Sequence, residues 1–358
     1  MKTHSILPVS IGLAVLSCNV SALDMNIYGV GHVSFDNNDD GSNSYSTFAS
    51  NASRLGFSGN HDIGKGLTAI FQYESGVDLS GRGDGNDGNG GLDDTSGQFF
   101  TRARDSWVGM KGDFGQVVIG RVGGLNQWLY DYNLFADQVG DLGNIWGGSG
   151  LADRIDGALM YSIPSMSGFD LSLSYSPEYS TAQDKTSSYT VVKANYATGD
   201  LKLSLGVMSQ PVFNGGTNTY NDHGVTAFIA SYDMGNISLG LGMQSESDVG
   251  GVSGSDRDSQ MFGASFQIGD GAIKAQYSVA EYDGSSDTKG SQISVGYDHS
   301  LNKSATIYVV YSGVSNDAAA SYTANNYGHG QASSVAAGGD PNTISVGLVF
   351  KFDNKIVK

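Results

Sequence analysis

Residues Asn342–Phe352 read Asn-Thr-Ile-Ser-Val-Gly-Leu-Val-Phe-Lys-Phe, and every second side chain from Ile344 to Phe352 is apolar. The positions between them are Thr343, Ser345, Gly347, Val349 and Lys351. Period two puts the two sets on opposite faces of a strand. The pattern recurs about sixteen times along the chain, with almost no helical pattern between. A sheet of that size must split, curl or close. Closure, with Asn342–Phe352 zipped beside Asp24–Asp36, removes both sheet edges. The apolar face is then free to meet lipid. The fold predicted is all-β, a sixteen-stranded antiparallel transmembrane barrel.

The chain opens with an export signal. Lys2 and His4 precede the mostly apolar run Ile6–Leu16, and Val20-Ser21-Ala22 forms a small-residue cleavage site. The run is too short to span a bilayer. The division expected is a signal at residues 1–22 and a barrel domain at 23–358. The single Cys, Cys18, leaves with the signal, so the barrel needs no disulfide. Lys2 leaves too, taking the formal charge from −17 to −18. Such an acidic balance argues against nucleic acid as a partner, which needs basic patches. It predicts a weak cation preference for any pore.

Short turns and longer connections alternate. Asp62–Gly66, Gly112–Gly115, Pro164–Gly168, Ala197–Asp200, Asp233–Asn236, Gly269–Gly271 and His299–Lys303 read as turns. Asn37–Ser50, Ser80–Gly97, Val122–Asp153, Gln210–His223, Ser247–Arg257, Asp283–Lys289 and Val314–Pro341 read as longer loops. A membrane barrel sorts its connections this way, one length at each rim; a soluble sandwich has no reason to. His223–Tyr232 alternates poorly, and its facing is open.

Strands in lipid must satisfy their backbones by closing, and at sixteen strands the lumen is wide enough for water. The expected inward rows carry Arg54, Gln72, Glu74, Arg104, Asp170, Lys202, Gln244, Lys274 and Gln276. A dry core would need a buried partner for each charge, whereas a wet bore only solvates them. Parity places Arg54, Arg104 and Arg154 on the lumen face, and Asp105 outward with Trp107. The connection Val122–Asp153 is long enough to have a purpose. Folded into the bore, it sets Asp131, Asp137 and Asp141 against the arginines and creates a transverse field that filters ions. The alternative is that the arginines pair with Glu74 or Asp156 within the wall.

Several segments carry a resemblance. Ser53-Arg54-Leu55-Gly56-Phe57, the run Gly66–Glu74, the run Trp107–Arg121, and Met160–Ser165 followed by Ser167-Gly168-Phe169 look like the general porins of Gram-negative outer membranes. The resemblance covers essentially the whole exported chain. It implies a water-filled channel for passive diffusion of ions and small hydrophilic solutes, held in the outer membrane among lipid and lipopolysaccharide. It also implies a homotrimer of barrels with short periplasmic turns, long extracellular loops and an inward-folded third loop, here about 122–153. Arg54, Arg104, Arg154 and Glu74, with Asp131, Asp137 and Asp141, then form the pore constriction. Gly29 and Gly31 suit close packing at the trimer contact, and Ser80–Gly97 would latch onto a neighbouring subunit near its Arg121. The chain lacks the family's Pro-Glu-Phe-Gly-Gly constriction motif, and six residues follow Phe352 where the family usually ends on a terminal Phe.

Other chemistry is weakly represented. Asp84–Asp94 superficially resembles a calcium repeat but does not recur. The histidines lack metal-ligand spacing, and no Ser sits in a nucleophile elbow. No cofactor and no enzymatic activity are expected. The alternatives are an oligosaccharide-specific channel, whose marker is aromatic side chains lining the bore (Trp128, Tyr130, Tyr132, Trp146), and a plugged structural or adhesive barrel.

Overall fold

Strand β17 (Asn342–Val357) lies antiparallel to β1 (Asp24–Asp39), with Phe352 opposite Gly29 and Asn342 opposite Asp39. That pairing closes the sheet. The computed structural model describes residues 24–80, 100–125, 131–182, 185–214 and 219–357. The expected export signal at 1–22, nearly all of Ser80–Gly97, and the residues Trp128 and Tyr130 lie outside the described residues. Between the two closing strands run β2 (Ser44–Ser50), β3 (Arg54–Gly64), β4 (Leu67–Val77), β5 (Phe100–Gly112), β6 (Gly115–Gly123), β7 (Arg154–Ser162) and β8 (Phe169–Ala182). Then follow β9 (Lys185–Thr198), β10 (Leu201–Asn214), β11 (Thr219–Met234), β12 (Ile237–Ser247) and β13 (Arg257–Ile268). The circuit ends through β14 (Gly271–Tyr282), β15 (Gly290–Ser300) and β16 (Ala305–Asn316). Successive strands pair antiparallel around the sheet. β2 and β3 sit end to end against β1, Ser50 opposite Val33 and Arg54 opposite Val30. Seventeen segments therefore make sixteen wall positions.

Alternation sorts the faces as expected. On β17, Val346 is 55% exposed and its neighbour Ser345 is fully buried. Phe262, Ile293 and Met243 are likewise exposed on the outer wall, while Gln244, Gln276 and Ser294 are buried inside. No described helix is long and apolar enough to cross a membrane; the strands do the crossing.

Three expectations are corrected, and one open facing is settled. Asn37–Ser50 is not a loop: β1 and β2 continue through it to a turn at 40–43. Gln210–His223 is likewise mostly strand, since β10 runs to Asn214 and β11 starts at Thr219. Asn37–Ser50 is largely polar on both faces, and Gln210–His223 sets Val212, Phe213 and Tyr220 among Asn, Asp and Thr without alternation, so period two fades although the backbone still pairs. β11 alternates poorly for the opposite reason. Its inward residues Val225, Ala227 and Ile229 are apolar and buried beneath a loop, so both faces are apolar. Finally, Trp107 does not face outward. Ser106 pairs with Tyr73 and Ala103 with Ser75, so β5 carries an extra residue between them. That bulge reverses parity: Val108 and Met110 are exposed, and Trp107 packs against the interior cluster. Asp105 lies at the bulge rather than on the lipid face.

Candidate functional site

The connection 124–153 folds into the barrel. A bond from Gly124 N–H to Asp153 O, 2.6 Å, closes its base. Its side chains Phe135, Leu142, Ile145 and Trp146 are fully buried, each contributing about 1.5–3 kcal/mol. What they press against is a floor of inward glycines. A Cβ on Gly240 would stand 2.1 Å from the Tyr132 ring, one on Gly242 2.7 Å from Trp146, and one on Gly296 3.0 Å from Phe135. These glycines let the loop lie flat on β12–β15. Lys274 of β14 pins it, its ammonium donating to Leu134 O (2.7 Å), Gln138 Oε1 (3.0 Å) and Asp298 Oδ2 (2.8 Å).

The tip of the loop is set by two of the expected acids in different roles. Asp141 is wholly enclosed; its carboxylate accepts from Asp137 N (2.8 Å), Gly143 N (2.8 Å) and Asn133 Nδ2 (2.9 Å). Burial, helped by the charge of Asp137, raises it to about 8. It organises the tip and does not face water. Asp137, held at φ 61° by that contact, meets Arg54 at 3.3 Å. Asp131 sits apart, 2.8 Å from Lys193.

Arg54 owes its aim to the break between β2 and β3. Ala52 there adopts φ 43°, and its carbonyl accepts from Arg54 Nη1 at 2.9 Å. Ser53 fixes the break to β1, accepting from His32 N–H and donating to His32 O, each at 3.0 Å. Arg104 pairs with Glu74 at 2.5 Å, both side chains a tenth exposed. Arg154, buried, pairs with Asp105 at 2.6 Å. Arg121 pairs with Asp156. The structure thus brings Arg54 to a loop acid, while Arg104 and Arg154 have wall carboxylates as neighbours.

Between the loop tip and the wall lies an open cavity of about 430 Å³. Arg54, Arg104, Lys274 and Lys351 line it, against the carboxylates of Asp137 and Asp298: four formal positive charges and two negative. Residues 10–320 match the family described as Gram-negative porin. The chain belongs to that family. The porin is 33% identical to outer membrane porin protein 32 of Delftia acidovorans over 322 residues, 83% of this chain and 86% of the relative. Its backbone superposes on the anion-selective porin from Comamonas acidovorans with a TM-score of 0.77 and 27% identity, covering 92% of this chain and 100% of that one. A trimer form of OmpT from Vibrio cholerae shares the fold alone, at a TM-score of 0.63 and 17% identity over 93% of this chain and 100% of OmpT. The molecule is an outer-membrane porin, a water-filled channel for passive diffusion.

Sequence parity found the inward arginines of this porin and put Lys351 on the inward face without giving it a role; it missed Arg257 and the role of the last loop, 317–341. That loop also folds inward. Asn144 of the third loop donates to Ala324 O (3.0 Å) and accepts from the N–H groups of Asn326 (2.9 Å) and Tyr327 (2.7 Å). Its run of small residues gives no periodic signal of burial. Of the aromatics that could mark a sugar track, Tyr132 and Trp146 are buried against the wall, away from the bore. Of the expected trimer residues, Gly29 makes room for the Phe352 ring of its own chain (2.7 Å to an added Cβ). Gly31 has nearly open space, with Leu79 3.5 Å away.

Proposed function

We propose that this porin is a general-diffusion channel with a preference for small anions, set where Arg54 and Lys351 face the Asp137 tip of the third loop. The observation that carries it is the charge of the 430 Å³ cavity. Arg54 has Asp137, Arg104 has Glu74 and Lys274 has Asp298. Lys351 is exposed and makes no ion pair among the described residues. It is the surplus charge in the narrowed part of the bore. A unit charge at 4 Å is worth about 1 kcal/mol even in bulk water, enough for a roughly fivefold bias in local ion concentration. The resemblance to an anion-selective porin supports the same sign. The formal charge of −17 spread over the chain is screened within about 10 Å at 0.1 M salt, so the local field decides and the cation preference expected from net charge gives way.

The same proposal takes residues 1–22 as the export signal and 23–358 as the barrel domain. It takes a homotrimer as the working unit, with Gly29, Gly31 and Arg121 at or near the contact, surrounded by outer-membrane lipid and lipopolysaccharide. The trimer form known for OmpT supports that assembly. The constriction residues are Arg54, Arg104 and Arg154, with Glu74 and Asp137; Asp141 supports the loop tip and Asp131 the loop's other flank. The test is Lys351→Glu in a planar bilayer under a KCl gradient. The reversal potential is expected to move from the chloride side toward the potassium side. An unchanged potential would place the selectivity elsewhere.

A further inference from the structure

Arg257 opens β13 with its side chain entirely buried, and it does not line the cavity at Arg54. Its guanidinium uses each of its nitrogens. Nη1 donates to the carboxylate of Glu246 and to Trp146 O (3.2 Å), Nη2 to Ile145 O, and Nε to Tyr322 Oη (3.2 Å). The Tyr322 and Tyr282 rings lie 5.6 and 5.9 Å from its Cζ. Glu246 is held in turn by His223 Nε2 and Gln244 Nε2, each at 2.9 Å. The carbonyls of Ile145 and Trp146 belong to the one helical turn of the third loop, α1 (Gly143–Trp146). Tyr322 belongs to the last loop. One wall cation therefore grips both inward-folded loops.

From Tyr322 the contacts lead back to the narrow part of the bore. Ala324 O accepts from Gly140 N (2.9 Å), Tyr327 donates to Asp153, and Gly328 packs on Asp137, where an added Cβ would stand 2.7 Å from Oδ1. Asp137 faces Arg54. We propose that Arg257 is the positioning residue of this channel, coupling the third and last loops so that they hold the conducting width as one unit. The proposal rests on the reading of Arg54 and Asp137 as the constriction. A fully enclosed arginine is costly unless each of its bonds is made, and here those bonds are spent on two loops from distant parts of the chain. Freed from it, the loops lose the guanidinium bonds that join Ile145 and Trp146 to Tyr322, and they fluctuate into the bore.

The test uses the full-length protein refolded in detergent and recorded as single channels at fixed voltage. Arg257→Gln breaks the grip. The pair Arg257→Met with Glu246→Met replaces it by apolar volume and leaves no orphaned carboxylate. Tyr322→Phe cuts only the link to the last loop. The expected result is a roughly tenfold rise in brief closures for the first two and a smaller rise for the third, at unchanged heat-modifiable mobility on gels. A merely structural arginine would lower heat stability and leave the closures alone. Closure rates within twofold of the parent in every variant that folds would overturn the proposal. If Arg257→Gln does not fold, the double variant and Tyr322→Phe decide. Arg54→Ala, measured beside them, separates the two claims. A changed ion preference there with quiet Arg257 variants sinks only the coupling, and no change there sinks the constriction itself.

Discussion

At the scale of single residues, two acids four positions apart on one loop do different work. Asp137 is half-buried and meets Arg54, whereas Asp141 is closed in by three N–H donors. Parity could place Arg54 in the lumen because β3 alternates cleanly. It could not tell the acids apart, since a loop has no period and their roles come from how its tip folds. Arg54→Ala removes a cation from the bore opposite Asp137. The chloride-to-potassium permeability ratio should fall roughly fivefold, measurable as a reversal potential, with a higher single-channel conductance. Asp141 gives a pH dependence whose sign is fixed. Its folded pKa of about 8 stands above the roughly 3.9 of an unfolded Asp. The stability it lends is whole below about pH 4 and is lost as pH rises through 8. Channels should therefore become noisier between pH 7 and 9. Asp141→Asn, which cannot ionise, should show no such transition; a transition of unchanged midpoint in that variant would assign it to another group.

At the scale of elements, the wall was legible and the interior was not. Strands β12–β17 show apolar-out, polar-in alternation because one face meets lipid and the other water. The signal fails wherever either condition fails. It fails at Asn37–Ser50, where paired strands are polar on both faces, at β11, where a loop covers the inner face, and at β5, where a bulge reverses parity. The glycines of β12, β13 and β15 read as neutral positions in sequence, yet they are the floor on which the third loop lies. Gly240→Val should unseat Tyr132, costing about 1–3 kcal/mol by overpacking. The barrel should still form, with a lower melting temperature and an altered conductance. A variant with the parent's conductance and stability would mean the loop does not depend on that floor.

At the scale of the whole molecule, the porin is an acidic protein around a locally basic passage. Of its 358 residues, 36 are Asp or Glu and 19 are Lys or Arg, so charge summed over the chain points to cations. The narrowed cavity has the opposite sign because arginines and lysines of four strands and the loop tip converge there. Ions pass single narrow sections, not averages, so the section should set the preference, and added salt should weaken it as the screening length around Lys351 shortens. The measurement that tests this most directly is the zero-current potential of the unmodified porin across a planar bilayer with a tenfold KCl gradient. A potential on the chloride side of zero is predicted. A potential on the potassium side would contradict the account and return selectivity to the acidic chain as a whole.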